Sequence, residues 1–211
     1  MKTTANAFEE CPECTPPADG SIGILPPKGT TEESADDDCD IAISLEINCS
    51  TLLAFEQDYK NRMSDSERIL FENLTRTQQL SYLANAQFAT WKAKELFPDW
   101  RELYNGKGDA FRHAYWNALN VIDLGISLAE SLTTAHEDKP SSYLYDFKEK
   151  EMDLFNNQIG RSRWDFPKSG FISLEESILD AINKGDLKYL NNLHPLNNTA
   201  TITSILIPTN Q

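Results

Sequence analysis

The chain has 211 residues, 40% of them hydrophobic and 25% charged, which is the composition of a soluble globular protein. Its net charge of −14 disfavours nucleic-acid binding, because an acidic surface repels phosphate backbones. The sequence contains no run of about 18 apolar residues that would predict a transmembrane helix. It begins without the apolar region and cleavage site of a secretory signal, so we expect a protein that is cytoplasmic or exported by a signal-independent route.

Residues 1–49 are predicted to form a largely disordered acidic tail, because they combine five of the ten prolines with two lysines and eleven acidic residues. The alternating stretch CDIAISLEINC favours a short strand at the end of this tail. The spacing of the cysteines leaves three alternatives: free thiols, disulfides formed after export, or a zinc knot built on CPEC. The four cysteines are Cys11, Cys14, Cys39 and Cys49.

A helical domain is predicted over residues 50–200, followed by an extended tail over 201–211. Ser64, Thr75 and Ser173 each precede a Glu or Gln by three residues, a capping-box pattern that marks helix starts. Apolar periodicity predicts helices over 50–63, 64–74, 75–97, 109–122, 124–138, 148–164 and 173–184. The expected fold class is therefore mainly α, a compact multi-helix bundle with minor β or extended segments.

The motif GDAFRHAYWNALN, residues 108–120, places polar side chains in a predicted helix. On that helix Asp109, His113 and Asn117 lie one above the other at a spacing of four residues. Each residue also has a structural interpretation. Asp109 suits the free N–H groups of a helix start, and His113 suits a hydrogen bond within a core.

Two further motifs add polar groups to neighbouring helices. TTAHED places His136 and Glu137 at the end of one helix, and EMDLFNNQIGR places Asp153 and Asn157 on one face of another. Asp and Asn are poor helix formers, and a buried polar group needs a partner. We therefore expect the polar faces of the three helices to converge.

Imidazole and carboxylate groups together suit a divalent ion, with zinc as the first choice. The predicted ligands are His113, His136 and Asp153. Asp109 is considered either as a fourth ligand or, like Glu137, as the base that accepts a proton from water. Without a metal, His113 oriented by Asp153 would activate water directly. The predicted catalytic residues are accordingly Asp109, His113, Glu137 and Asp153.

The remaining polar residues of the motifs are assigned to substrate binding: Arg112, Asn117, Asn156 and Asn157. Two alternatives stay open for Arg112, which either binds an anionic substrate group or pairs with a carboxylate such as Glu130. The sequence lacks the nucleophile-elbow, phosphate-loop, dinucleotide-binding and H-E-x-x-H motifs, which excludes nucleotide-cofactor chemistry and zincin-type proteolysis.

Over residues 100–163, DAFRHAYWNAL, AHE and MDLFNNQIGR occur in an order that resembles an uncharacterised bacterial domain family. Members of that family occur in Rhs-associated and wall-associated proteins, so the resemblance implies a toxin-like or envelope-directed hydrolase. We expect a phosphoester, lipid or envelope-precursor substrate. The alternative is a non-catalytic helical interaction module, an immunity or partner-binding protein whose polar residues form buried networks and which binds a cognate protein.

Overall fold

The computed structural model describes residues 49–211, with side chains from residue 56 onward. The predictions for the acidic tail, its strand and the four thiols concern residues before Cys49 or side chains that lie outside this described part. The helices of the described part are α1 Cys49–Arg62, α2 Asp65–Glu72, α3 Arg76–Leu96, α4 Lys107–Leu124, α5 Ile126–His136, α6 Asp146–Ser162 and α7 Leu174–Lys184. Strands β1 Lys188–Leu190 and β2 Leu206–Pro208 follow. The mainly α fold is therefore confirmed, and none of these helices is long and apolar enough to cross a bilayer.

The predicted capping residues lie at the N-termini of three helices. The Ser64 hydroxyl accepts a hydrogen bond from the backbone N–H of Glu67 at the start of α2. Thr75 and Gln78 form a reciprocal capping box at the start of α3, and Ser173 caps α7. Because these bonds satisfy N–H groups that lack a partner within the helix, local sequence decides where each helix begins.

The helix predicted over 109–122 and the next one meet at a glycine. Gly125 has a φ of 82°, a region that L side chains rarely adopt, so it ends α4 and allows α5 to start directly. At the other end, α4 begins two residues earlier than predicted, after Gly106. The carboxylate of Glu102 accepts from the N–H of Lys107 there, so Asp109 is not needed as the cap.

Helix α4 lies at the centre of the bundle and packs against α3, α5, α6 and α7. Its apolar side chains join one core cluster, in which the rings of Phe111 and Tyr115 stack at 5.2 Å. Trp116 packs on Tyr82 of α3 with ring centroids 5.3 Å apart. The polar face of α4 is thereby turned toward α5 and α6.

Helices α4 and α6 are in backbone contact at Gly160. A Cβ atom placed there would lie 2.1 Å from the carbonyl oxygen of Ala114, closer than real Cβ contacts allow. Only glycine permits this approach. It brings the DAFRH motif of α4 against the MDLFNN motif of α6.

The two strands form an antiparallel pair that docks on α6. The side chain of Asn156 donates to the carbonyl of Lys188 at 2.8 Å and accepts from its N–H at 3.0 Å, like a further strand residue. Lys148 donates to three backbone carbonyls of residues 201–204. The amide of Asn156, a predicted substrate-binding residue, thus holds β1.

Candidate functional site

Three of the predicted site residues meet where α4 crosses α6. One ligand atom each from Asp109, His113 and Asp153 lie within 4.8 Å of one another, and the group could hold a metal ion. The Nε2 atom of His113 is 3.2 Å from Asp153 Oδ1 and 3.7 Å from Asp109 Oδ1. The spacing of four residues along α4 and the Gly160 crossing together produce this arrangement.

The surroundings of His113 fix which ring nitrogen carries the proton. Arg112 can only donate, and its Nη2 lies 2.7 Å from Nε2, so Nε2 is the acceptor. The proton is then on Nδ1, which donates to the Asn157 side-chain oxygen at 3.2 Å. Burial lowers the pKa of His113 well below its usual value, and the positive charge of Arg112 adds to this effect. His113 is therefore a neutral imidazole whose Nε2 atom accepts from Arg112 and lies beside the two aspartates.

Asp153 has the least favourable surroundings of the three residues. Burial raises its pKa well above the usual value, and the negative charges of Glu137 and Asp109 raise it further. Its Oδ1 atom is buried and has no hydrogen-bond partner among the described residues, although His113 Nε2 is only 3.2 Å away. If Asp153 is ionised, two acceptors face each other here, which is unfavourable unless a proton on the carboxyl or a cation lies between them.

Asp109 is held on two sides. Its Oδ2 accepts from the backbone N–H of Asn105 at 2.7 Å, and its Oδ1 accepts from Arg112 at 2.5 Å. Arg112 thus pairs with a carboxylate, as one of the two alternatives predicted. That carboxylate is Asp109 and not Glu130, which lies 3.5 Å from Arg161. The guanidinium is the cation that neutralises part of this acidic group in the structure.

Glu137 and Asn157 lie on the other side of the His113 ring. The Glu137 Oε1 atom is 3.6 Å from Nδ1 and also accepts from the Asn157 amide at 3.2 Å. This is the position of a group that orients a ligand histidine, not of a base that faces a reacting water. The geometry therefore favours an orienting role for both residues over the predicted catalytic and substrate-binding ones.

Asn117 lies deeper, in a polar network between three helices. It donates to the Asn157 oxygen at 2.6 Å and accepts from Thr133 at 2.8 Å and from Arg161 at 3.0 Å. Asn117 is fully buried, and its hydrogen bonds connect the three helices. Arg161, the last residue of the MDLFNNQIGR motif, was not among the predicted residues.

His136 lies outside the metal-binding group. Its Nδ1 atom is 3.0 Å from both carboxylate oxygens of Glu67, which is fully buried on α2 and also accepts from Tyr82 at 2.8 Å. The ring packs edge-on against Trp116 at 5.1 Å. Of the predicted ligands, Asp109, His113 and Asp153 therefore lie together, and His136 is not part of their group.

A cleft of about 610 Å³ opens beside this group, between α1, α3 and α4. Arg112 and Trp116 line it from α4, whereas the three candidate ligands are not among its lining residues. His136 lines the same cleft, with Lys139 next to it. Arg112 thus connects the cleft to the buried acidic group.

The sequence of residues 70–185 matches the family described as Domain of unknown function (DUF6973). This match spans more than half of the chain, and the protein belongs to that family. The resemblance to an uncharacterised domain family is thereby confirmed. Comparison with curated proteins and with solved structures gave no match.

Proposed function

We propose that this protein is a small metal-dependent hydrolase that cleaves a phosphoester, lipid or envelope-precursor substrate. Asp109, His113 and Asp153 would hold the ion, and zinc is the first candidate. The observation that carries the proposal is the buried Asp153 oxygen without a partner, which faces the lone pair of a neutral imidazole.

The donor set fits a catalytic zinc site. Such sites use three protein ligands from His, Asp or Glu and leave a further position open. His113 is already neutral, as a ligand must be, and its other nitrogen donates to a side-chain oxygen beside a carboxylate. A divalent ion bound there would supply Lewis-acid polarisation of a substrate oxygen or of water.

Arg112 has a separate role in this proposal. It neutralises Asp109 and contacts His113 Nε2 in the structure, so an ion bound at these atoms would displace the guanidinium. The side chain also lines the cleft. There it would meet an anionic group of the substrate, which agrees with the first of the two roles considered for it.

The proteins in which similar domains occur suggest a biological role for the proposed hydrolase. The resemblance to domains of Rhs-associated and wall-associated proteins supports a toxin-like activity. A cognate partner that binds and neutralises the domain would then be expected.

A second candidate function is a non-catalytic interaction module. It is favoured by the burial of His113, which is only 2% exposed, and by the many hydrogen bonds that Asn117 and Asn157 make around it. In that case Arg112 is the permanent counter-ion and no metal binds.

Hydrolysis of a chromogenic phosphodiester, bis(p-nitrophenyl) phosphate, by the full chain loaded with zinc tests the proposal. We expect a rate well above that of free zinc, and we expect chelation and the substitution His113→Ala to abolish it. The variant should keep the far-UV circular dichroism of the wild type. A rate no higher than that of free zinc would contradict the proposal, as would full activity in the variant.

A further inference from the structure

The cleft is cationic, although the protein is strongly acidic. In the part of the chain whose side chains are described, four of the residues that line the cleft are lysine or arginine, and none is aspartate or glutamate. Arg112 and Arg62 each have an acidic partner, Asp109 and Asp58. Lys94 and Lys139 make no ion pair with another described residue. A concave site lined by one sign of charge concentrates ligands of the opposite sign.

His136 is held rigidly at this cleft. Its Nδ1 side faces the buried carboxylate of Glu67, whose position is fixed by Tyr82. The ring is stacked on Tyr59 with centroids 5.9 Å apart. Its Nε2 atom has Lys139 Nζ as a neighbour at 3.5 Å. With Nδ1 engaged by Glu67, the Nε2 side of His136 and the Lys139 ammonium are the polar groups that this part of the lining offers to a ligand.

Aromatic side chains form much of the rest of the lining. Tyr59, Tyr104 and Trp116 contribute from three different segments. Trp116 is 2% exposed, and its indole N–H has no hydrogen-bond partner among the described residues. An unpartnered buried donor indicates that an acceptor is missing from its surroundings.

We propose that this cleft binds a soluble phosphate ester of a small aromatic or apolar molecule. His136 and Lys139 would contact the phosphate, and the aromatic side chains would pack on the organic group. The inference rests on the proposed function and narrows its substrate class. A phosphate dianion suits the cleft better than a carboxylate, because at least two cations without an acidic partner line it.

The test uses the full chain, freed of metal with a chelator and then dialysed, so that the cleft is observed without the metal site. Phenyl phosphate is added while the ring resonances of the three histidines are followed by NMR. We expect the signals of His136 to shift and those of the exposed His194 to stay in place. Lys139→Ala should weaken binding about tenfold, as expected for the loss of a hydrogen bond to a charged group.

Two controls make the result specific. Lys168→Ala removes the same charge from an exposed position outside the cleft and should leave the affinity unchanged. Benzoate carries the same ring with a monoanion and should bind much more weakly than phenyl phosphate. An unshifted His136 would overturn the proposal, and so would equal effects of the two lysine variants or equal binding of benzoate. Failure of the zinc-dependent assay alone would leave this result intact, which separates the two proposals.

Discussion

Gly160→Ala is expected to destabilise the protein by about 3 kcal/mol or more, since overpacking against backbone atoms cannot be relieved by a side-chain movement. The new Cβ would lie 2.1 Å from the Ala114 carbonyl oxygen and 2.6 Å from its Cα. Intrinsic helix propensity predicts the opposite, because alanine is favoured over glycine inside a helix by about 1 kcal/mol. Thermal unfolding should show a melting temperature lower by roughly 10 °C.

Gln158→Ala is the matched control for this substitution. It introduces the same residue two positions earlier in α6, at an exposed site, and should change the stability by less than about 0.5 kcal/mol. If Gly160→Ala is as stable as the wild type, the close crossing of α4 and α6 is wrong, and the arrangement of His113 and Asp153 loses its structural basis.

Asp153→Asn is expected to stabilise the metal-free protein and to prevent it from binding a divalent ion. The asparagine amide places a donor group instead of an ionisable acceptor 3.2 Å from His113 Nε2 and removes a negative charge from the acidic group, which relieves the pairing of two acceptors. We expect a gain of about 1 to 2 kcal/mol, the usual cost of an unsatisfied buried group, or roughly 3 to 6 °C in melting temperature.

The pH dependence of this gain follows from the raised pKa of Asp153. Protonation of the Asp153 carboxyl stabilises the folded protein. This contribution is fully present below the pKa of Asp153 in the unfolded chain and is lost as the pH rises through its higher pKa in the folded chain. The advantage of the asparagine variant over the wild type should therefore grow with pH. Glu151→Gln, an exposed charge change on the same helix, should show neither the gain nor the loss of the ion. A destabilised Asp153→Asn variant would indicate a structural carboxylate instead.

The sequence predicts the local features of this structure well. Ser64, Thr75 and Ser173 mark helix starts because a cap acts on N–H groups only two or three residues away. The grouping of Asp109 with His113 follows from helical spacing alone. These features depend on neighbours in the chain, which the sequence shows directly.

Partners distant in the chain were not predictable in the same way. The sequence pattern identifies Glu67 only as part of a capping box. Its side chain in fact contacts His136, 69 positions further along the chain. Asn156 and Asn157 are adjacent, yet a helix turns about 100° per residue, so one faces β1 and the other His113. The crossing of α4 with α6 decides which polar groups are in contact. This crossing cannot be predicted from the periodicity of the sequence.

Titration of zinc into the metal-free full chain tests the central claim most directly. It should be performed on a variant with all four cysteines replaced by serine, so that thiols cannot bind the metal. We expect a single zinc ion per chain, with an affinity that falls more than about 100-fold in His113→Gln, beyond the effect of losing an outer-shell partner. His136→Gln should bind zinc like the parent. Absence of binding, or equal losses in the two histidine variants, would contradict the metal site.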